Sequence, residues 1–298
     1  MKILLLGKDG QVGQECQRSL PPLGGVSALS RDEIDLANLD DLSTLLTIAA
    51  PDVIVNAAAY TAVDKAEADE LAAQKVNAEA VGVLAAYAQS KGKLLVHYST
   101  DYVFDGEKAT PYLEDDSANP QSAYGRSKYA GEQAILESAC NALIFRTTWV
   151  FSTHGNNFVK TILRLAKEKE SLNVVSDQVG APTSARLIAD VTASAIAAYH
   201  AKTLKGGIYH LTAAGETSWH GLALHTVTRA HANGAVLKLN ARQINAVPTE
   251  AYPLPARRPH NSRLDTGLLS RALNLNFPDW KDDVDQVIDQ MLRSETSI

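Results

Sequence analysis

The fold is decided at the start of the chain, where the sequence reads Lys2-Ile3-Leu4-Leu5-Leu6-Gly7-Lys8-Asp9-Gly10-Gln11-Val12-Gly13. The continuous apolar run at 2–6 is the pattern of a strand that is buried on both faces of a parallel sheet. Gly7, Gly10 and Gly13 then stand three residues apart, and a helix is predicted from Gln11 to Leu20. Strand, glycine turn and helix together predict the opening of a βαβ unit.

The same alternation continues to residue 149. The further predicted strands are Val26–Leu29, Asp52–Asn56, Leu94–Tyr98 and Ala142–Arg146. The further predicted helices are Leu39–Ala50, a long region at Asp64–Lys91 that is broken once, and Tyr124–Cys140. Strands that alternate with helices predict an α/β fold with a doubly wound, mostly parallel sheet of the Rossmann type.

Beyond Trp149 the rhythm of the chain changes. Helices are predicted at Asn157–Lys169, Ser184–His200 and about Trp280–Leu292, and strands at Leu172–Val175 and Gly207–Leu211. We interpret residues 1–149 as a dinucleotide-binding domain, which later elements near 172–211 rejoin. Residues 150–298 are interpreted mainly as a smaller, C-terminal substrate-binding lobe.

Composition narrows the class of protein. The chain has 298 residues, 45% of them apolar and 21% charged, and a formal net charge of −6. Without a basic block, nucleic acid is not expected as a partner. No apolar run is long enough for a membrane span, and no signal peptide is expected. The two cysteines, Cys16 and Cys140, suit a reducing compartment, so the cytoplasm is expected.

The glycine turn predicts a site for the phosphates of a dinucleotide. Gly7 permits the tight turn, Gly10 lets the backbone approach a pyrophosphate, and Gly13 lets helix and strand pack closely. The helix N-terminus then presents free N–H groups and a positive dipole end. A tight turn without a ligand is the alternative, and the position between a buried strand and a helix favours the phosphate site.

The end of the second strand bears on which dinucleotide binds. An acidic side chain at this place binds the ribose 2′-OH of NAD. This chain has Ser30 and Arg31 instead, a hydroxyl and a guanidinium that suit a 2′-phosphate. A solvated loop arginine is an equally weighted alternative, and Asp32, Glu33 and Asp35 lie close by. We predict NADPH and leave NADH use open.

Two further stretches predict a reactive site. Tyr124 and Lys128 stand four residues apart in a helical pattern, so both side chains project from one face. Ser99-Thr100-Asp101 ends a buried strand, where open α/β sheets bind ligands. The Thr100 hydroxyl can hydrogen-bond a carbonyl oxygen, Tyr124 can donate a proton to it, and the Lys128 charge can favour the phenolate. Capping or packing explains each residue singly, whereas their combination favours one active site.

These motifs together resemble the extended short-chain dehydrogenase/reductases, and more narrowly their dTDP-4-dehydrorhamnose reductase branch. The resemblance covers nearly the whole chain. It is carried by the glycine turn, Thr100, Tyr124-x-x-x-Lys128 and five longer motifs. These are Ser99-Thr100-Asp101-Tyr102-Val103-Phe104-Asp105-Gly106, Phe145-Arg146-Thr147-Thr148-Trp149-Val150, Gly155-Asn156-Asn157-Phe158, Asp177-Gln178-Val179-Gly180-Ala181-Pro182-Thr183 and Arg258-Pro259-His260-Asn261-Ser262-Arg263-Leu264.

The resemblance implies an oxidoreductase that reduces the C4 ketone of dTDP-4-dehydro-6-deoxy-L-mannose to dTDP-L-rhamnose. It implies that Tyr124 is the proton donor, Lys128 tunes it and anchors the ribose, and Thr100 bonds the carbonyl, while Asp101 and Trp149 contact the sugar. Gly10, Gln11 and Val12 are then implied at the pyrophosphate, Asp35 and Leu36 near the adenine, and Ala59, Tyr60, Thr61 and Tyr98 along the rest of the cofactor. A place in dTDP-rhamnose and cell-surface polysaccharide (O-antigen) biosynthesis is also implied.

Two alternatives stay open at this point. One is another sugar-nucleotide reductase, epimerase or dehydratase of the same fold, although Tyr102 stands where a dehydratase needs an acid. The other is a regulatory subunit that binds a dinucleotide without catalysis, against which the intact Thr100, Tyr124 and Lys128 argue.

The resemblance also allows a homodimer, which in some bacterial members is linked by Mg²⁺. Glu15 matches one acid of that metal site, but Arg186 and Gln290 replace the other two. Because a guanidinium cannot ligate a hard cation, we predict no Mg²⁺ site here.

The remaining candidates are weaker. None of the eight histidines stands in a metal-binding spacing. His97 is expected to be a core or supporting residue, His154 to border the sugar pocket, and Trp219 to be a packing residue. Lys160, Arg164 and Arg258 are candidates for the substrate diphosphate, with a solvated surface position as the alternative for each.

Overall fold

The first strand and the glycine turn form where the sequence predicts them. In the computed structural model, which describes residues 1–296, the first strand is Lys2–Leu6 and the helix after the turn is Gln11–Ser19. Ile3 and Leu5 pack into the core on one face of the sheet, and Leu4 and Leu6 pack into the core on the other. The strand is therefore buried on both faces, which explains its continuous apolar run.

Twelve strands and eleven α-helices occupy the described residues. The strands are β1 Lys2–Leu6, β2 Gly25–Leu29, β3 Val53–Asn56, β4 Leu94–Thr100, β5 Asn141–Thr147, β6 Val150–Phe151, β7 Leu172–Val175, β8 Val179–Gly180, β9 Thr183–Ser184, β10 Gly207–His210, β11 Thr217–Ser218 and β12 Ile244–Val247. The helices are α1 Gln11–Ser19, α2 Leu39–Ala49, α3 Val63–Ala66, α4 Glu70–Gln74, α5 Ala80–Lys91, α6 Ala123–Ser138, α7 Phe158–Glu168, α8 Ala185–His200, α9 Trp219–Ala232, α10 Gly267–Leu273 and α11 Trp280–Thr296.

The central sheet has six strands in the order β10-β5-β4-β3-β1-β2. All five of its strand pairings are parallel. The prediction of a doubly wound, mostly parallel sheet is confirmed. The strand order reverses direction between β1 and β3, and in such sheets the crevice outside the carboxyl ends at this point binds ligands.

The long helical region after β3 is broken once, as predicted, and it contains a feature that the pattern does not show. The break lies between α3 and α4, where Asp69 caps α4 by accepting a hydrogen bond from the Ala72 N–H. A π-helical turn then spans Lys75–Glu79 before α5 begins. It holds the buried Asn77, which bonds both the N–H and the C=O of Tyr60 and the Ser127 hydroxyl. The turn therefore ties a cavity loop to α6.

Some elements of the second half of the chain join the central sheet and its helices, and others lie outside it. Helix α8 packs against α1, and β10 extends the central sheet beside β5. Strand β7 was expected near the returning elements, but it pairs with β12 in a separate two-stranded sheet. Its polar residue Asn173 is exposed there, which a central parallel strand does not allow. The expectation that β7 rejoins the first domain is therefore wrong.

The elements outside the central sheet have a core of their own. Phe151, Val159, Leu222, Trp280 and Val284 are all buried in it. Among the described residues, no helix combines the length and the apolar content that a membrane crossing requires.

Candidate active site

A single cavity of about 810 Å³ runs along the carboxyl ends of the central strands. Seventeen of the eighteen predicted site residues line it: Gly7, Gly10, Gln11, Val12, Ser30, Arg31, Asp35, Leu36, Ala59, Tyr60, Thr61, Tyr98, Thr100, Asp101, Tyr124, Lys128 and Trp149. Gly13 does not line the cavity. Residues that are far apart in the sequence are thus brought to one edge of the sheet.

The glycine turn is as tight as its spacing predicts. Gly7 has a φ of +85°, and a Cβ added to it lies only 2.7 Å from the Ala58 nitrogen. A Cβ on Gly13 lies 2.0 Å from the Gly7 carbonyl oxygen, so Gly13 acts through packing rather than through contact with a ligand. No side chain caps the N-terminus of α1. Its N–H groups are therefore available to an anion.

Ser30 and Arg31 differ in what they can offer a ligand. The Ser30 backbone N–H and hydroxyl both donate to Glu33, at 2.8 and 2.9 Å, and Glu33 also pairs with Lys8 at 2.6 Å. The hydrogen bond from Lys8 and those from Ser30 lower the pKa of Glu33 to about 2. Arg31 is exposed at the cavity and makes no ion pair with the residues that the structure describes. The guanidinium is the group left for a 2′-phosphate.

Tyr124 lies in the first turn of α6, and local contacts hold it there. Ser122 caps the helix by accepting from the Gly125 N–H, and the Ala123 N–H donates to Glu67 at 2.8 Å. The Tyr102 ring meets the Tyr124 ring edge-on, with centroids 5.6 Å apart. Tyr124 is therefore fixed at the cavity wall with its hydroxyl near Thr100. The hydrogen bond with Thr100 lowers the pKa of Tyr124, but burial and the Asp101 charge raise it by more.

The Lys128 charge is expected to favour the Tyr124 phenolate, and in the free protein burial has the largest effect on the pKa of Tyr124. Burial, and to a smaller degree the Asp101 charge, raise the pKa of Tyr124 well above its ordinary value. The Lys128 side chain donates to the Tyr98 C=O at 2.7 Å. Burial also lowers the pKa of Lys128 to about 8. Tyr124 therefore holds its proton at neutral pH, as a proton donor to a carbonyl must.

Thr100 and Asp101 end β4 with both side chains buried. The Thr100 hydroxyl donates to Asp101 at 3.1 Å and accepts from the Tyr102 N–H at 3.2 Å. Burial raises the pKa of Asp101 to about 6.

Several buried polar atoms near Thr100 lack a partner. Ser99 Oγ, Asp101 Oδ2, Thr147 Oγ1 and Thr148 Oγ1 have no hydrogen bond within the described part of the chain. Because buried polar atoms are ordinarily paired, this cluster suits a polar ligand.

The far wall of the cavity is aromatic. The Trp149 and Trp219 rings stack with centroids 3.6 Å apart and planes 14° apart. Trp149 has a φ of +48°, an unusual backbone conformation for a bulky residue and one that clusters at functional sites. The expectation that Trp219 only packs is therefore incomplete, because it also lines the cavity and donates to Gln178 at 3.0 Å. No spacing in the sequence connects Trp219 with Trp149.

A loop from the second lobe closes over the glycine turn through Gln11. The Gln11 side-chain oxygen accepts from Ser152 at 3.2 Å and from Asn157 at 2.9 Å. Gly155 and Asn156 of this loop line the cavity. His154, which was expected to border the sugar pocket, does not line it and is exposed, so that expectation is wrong.

The three basic candidates for a diphosphate differ in placement. Lys160 donates to the Thr153 C=O at 3.0 Å, and Arg164 pairs with Glu168 on the exposed face of α7. Arg258 pairs with Asp64 at 2.7 Å. It also lies near the cavity residue Tyr102, because burial raises the pKa of Tyr102 and the Arg258 charge lowers it in part. Only Arg258 is therefore connected to the cavity wall.

The three residues compared with a metal site meet in one small cavity. Glu15, Arg186 and Gln290 line it together with Asp283. Glu15 accepts from Arg18 at 2.9 Å, and Arg18 also donates to Asp190 at 2.6 Å. Within residues 1–296, no group of three or more His, Cys, Asp or Glu side chains is placed to hold a metal ion. The absence of a Mg²⁺ site stays a prediction.

Known proteins resemble the chain over nearly its whole length. A family model described as the RmlD substrate binding domain matches residues 1–293. A dTDP-4-dehydrorhamnose reductase of Burkholderia thailandensis is 52% identical over 285 residues, which cover 94% of this chain and 96% of that protein. One of Shigella flexneri is 49% identical over 295 residues, or 98% of each chain.

Solved structures agree with this resemblance. The dTDP-4-dehydrorhamnose reductase of Clostridium acetobutylicum has a TM-score of 0.89 at 35% identity, covering 98% of this chain and 100% of that chain. The enzyme of that name from Bacillus anthracis, solved in complex with NADP, has a TM-score of 0.86 at 33% identity and covers 97% and 99%.

Proposed function

Since the chain belongs to the RmlD substrate-binding-domain family, as its resemblance to the dTDP-4-dehydrorhamnose reductases predicted, we propose that it reduces the C4 ketone of dTDP-4-dehydro-6-deoxy-L-mannose with NADPH. The product is dTDP-L-rhamnose. The relatives named dTDP-4-dehydrorhamnose reductase and the one solved with NADP support the reaction and the cofactor.

The cavity suits a dinucleotide. The Gly7 turn leaves no room for a Cβ, α1 presents uncapped N–H groups, and Arg31 offers a guanidinium at the far end. We propose that the pyrophosphate lies on Gly10, Gln11 and Val12 and that Arg31 binds the 2′-phosphate. The loop that Gln11 holds then covers the pyrophosphate from the other side. NADPH held there would supply the hydride for the ketone carbon.

The chain supplies the proton and the alignment. Tyr124 donates its phenolic proton to the ketone oxygen, so the C=O becomes a C–H and an O–H, and a phenolate is left. The Thr100 hydroxyl bonds the same oxygen and holds it at the phenol. Lys128 anchors the nicotinamide ribose, and its positive charge stabilises the phenolate that forms. Tyr124 is reprotonated from solvent after the product leaves.

The observation that carries the proposal is that Tyr124, Thr100 and Lys128 line one cavity with the glycine turn. Burial keeps the proton on the Tyr124 phenol, and Thr100 lies beside it at the end of β4. A reductase needs a protonated donor at the carbonyl oxygen, and this arrangement supplies one. Asp101 and the stacked Trp149 and Trp219 are then placed to contact the sugar.

The test is NADPH oxidation with dTDP-4-dehydro-6-deoxy-L-mannose. We expect turnover by the wild type and a loss of 10²–10⁴-fold in kcat in Tyr124→Phe, since general acid catalysis contributes about that factor. NADPH binding is expected to survive, because the ring remains. Undiminished kcat in the Phe variant removes Tyr124 from the mechanism, and oxidation only with another keto-sugar changes the substrate.

Three wider proposals concern the domains, the location and the oligomeric state. We propose that residues 1–149 with α8 and β10 bind the cofactor and that the remainder mainly binds the sugar nucleotide. The two free cysteines support a cytoplasmic location. The family resemblance supports a homodimer, and Arg186 and Gln290 in place of acidic residues argue against Mg²⁺ in it. Light scattering with and without EDTA tests both. A metal-dependent change in mass that Glu15→Ala abolishes contradicts the prediction about Mg²⁺.

A further inference from the structure

A buried row of polar side chains lies directly behind Lys128. His97 on β4 and Asn56 on β3 are partners in the parallel register, so their side chains meet on one face of the sheet. His97 Nδ1 lies 3.2 Å from Asn56 Nδ2, and His97 Nε2 lies 3.4 Å from Lys128 Nζ. All three side chains are essentially without solvent contact. A histidine in such a place must satisfy both ring nitrogens within the protein.

Hydrogen-bond directions decide which ring nitrogen of His97 carries the proton. The Asn56 side-chain oxygen accepts from the Ala58 N–H at 3.3 Å, which turns the Asn56 nitrogen toward His97. An amide nitrogen only donates, so His97 Nδ1 must accept. Burial keeps the pKa of His97 well below its usual value, so the ring is neutral. A neutral ring that accepts at Nδ1 carries its proton at Nε2, facing Lys128.

This arrangement acts on the charge of Lys128. An ammonium has only donors, so it cannot accept from the Nε2–H of His97, whereas a neutral amine can. Burial also favours the neutral amine, because it lowers the pKa of Lys128. The Glu132 carboxylate, one turn along α6, favours the ammonium instead. Glu132 is itself bonded by the Arg146 guanidinium on β5. Lys128 donates to the Tyr98 C=O, whereas the Tyr98 phenol bonds Thr192.

We propose that His97, oriented by Asn56, is a positioning residue that sets the protonation state of Lys128 during the reduction. The inference rests on the proposed function and adds a residue to it. Tyr124 stays protonated through the neutral and moderately basic range, so the loss of the Lys128 ammonium limits activity at high pH. Activity then falls as the pH rises through the pKa of Lys128, about 8. Without the Nε2–H of His97, the ammonium persists to higher pH.

The test is the pH dependence of single-turnover NADPH oxidation in wild type and His97→Gln, in which a side-chain oxygen can face Lys128. We expect the basic limb to move upward by ~1 pH unit, as a single hydrogen-bond or charge partner commonly does. The affinity for NADPH at pH 7 is expected to stay within about twofold. His231→Gln is the control, because the His231 side chain bonds the Leu239 C=O in the other lobe, and its profile is expected to match the wild type.

A second measurement needs no variant. Nitrogen-15 NMR of the wild-type histidines reports the tautomer, and we expect one buried ring, lost in His97→Gln, with its proton on Nε2. An unmoved basic limb in folded His97→Gln, or a proton on Nδ1 of His97, overturns the proposal. If the dTDP-sugar is not reduced at any pH, the proposed function fails, while the tautomer still decides the arrangement of His97 and Asn56.

Discussion

Glu132 and Arg146 form an ion pair inside the protein, and it allows a sharp prediction about stability. Two hydrogen bonds of 2.9 and 2.7 Å join the guanidinium to the carboxylate. Their side chains are 4% and 0% exposed. In Glu132→Gln, an amide N–H₂ replaces one acceptor and the Arg146 charge stays buried without a counter-charge. We expect the free energy of unfolding to fall by about 3–5 kcal/mol, the usual cost of breaking a buried pair.

The chain contains a matched control for this variant. Arg126 donates two hydrogen bonds of 2.8 and 3.0 Å to Glu70, in the same arrangement, but the Glu70 and Arg126 side chains are 42% and 44% exposed. Because water and salt screen an exposed pair, Glu70→Gln is expected to cost about 0–1 kcal/mol. Equilibrium urea unfolding followed by circular dichroism measures both losses. Equal losses in the two variants refute the reasoning from burial.

A double variant separates the charge from the geometry. Replacing both members, as Glu132→Leu with Arg146→Met, leaves no unpaired charge in the core. We expect it to recover most of the stability lost in Glu132→Gln, because buried ion pairs are commonly no more stable than packed apolar side chains. A double variant that is less stable than Glu132→Gln shows that the pair itself contributes net stability.

Three further predictions concern the site. Gly13→Ala should cost about 1–3 kcal/mol of stability and weaken NADPH binding in a fluorescence titration, because its Cβ meets the Gly7 oxygen at 2.0 Å. Gly82→Ala on α5 should instead stabilise by about 0.5–1 kcal/mol, because its Cβ makes only an ordinary contact of 3.8 Å with the Ala134 Cβ. The pKa of Asp101 in the folded protein is about 6, against an ordinary 3.8. Its protonated form therefore stabilises the protein below pH 4, and this stability is lost as the pH rises through 6. Thermal unfolding from pH 4 to 8 should show a loss of about 3 kcal/mol that is absent in Asp101→Asn. Trp219→Leu should raise KM for the dTDP-sugar by up to about tenfold with NADPH affinity unchanged, since it removes the ring stacked on Trp149; an unchanged KM places Trp219 outside the substrate site.

The sequence pattern alone predicted the parallel strands and the glycine turn. A buried parallel strand needs a continuous apolar run, and a turn with φ of +85° at Gly7 needs glycine, so both leave a direct mark on the sequence. The strand-end rule for α/β sheets then placed Thr100 and Asp101 at the site. Tyr124 and Lys128 followed from helical spacing, and the longer motifs supplied the family.

The sequence could not show what depends on contacts between distant segments. That burial raises the pKa of Tyr124, and that Lys128 donates to the Tyr98 C=O beside His97, are known only from the packed structure. Strand β7 looks like a central strand but pairs with β12, since pairing partners are chosen by tertiary packing.

In this protein, therefore, local backbone requirements determined the sheet and the glycine turn, while strand ends and helical spacing in the sequence indicated the candidate reactive residues. Tertiary structure decided their protonation. A pKa depends on how deeply a group is buried and which dipoles face it, and spacing along a chain records neither. The same holds for the stacking of Trp219 on Trp149 and for the buried row of Asn56, His97 and Lys128. These contacts join elements that the chain separates by dozens of residues, and they exist only after the sheet has formed.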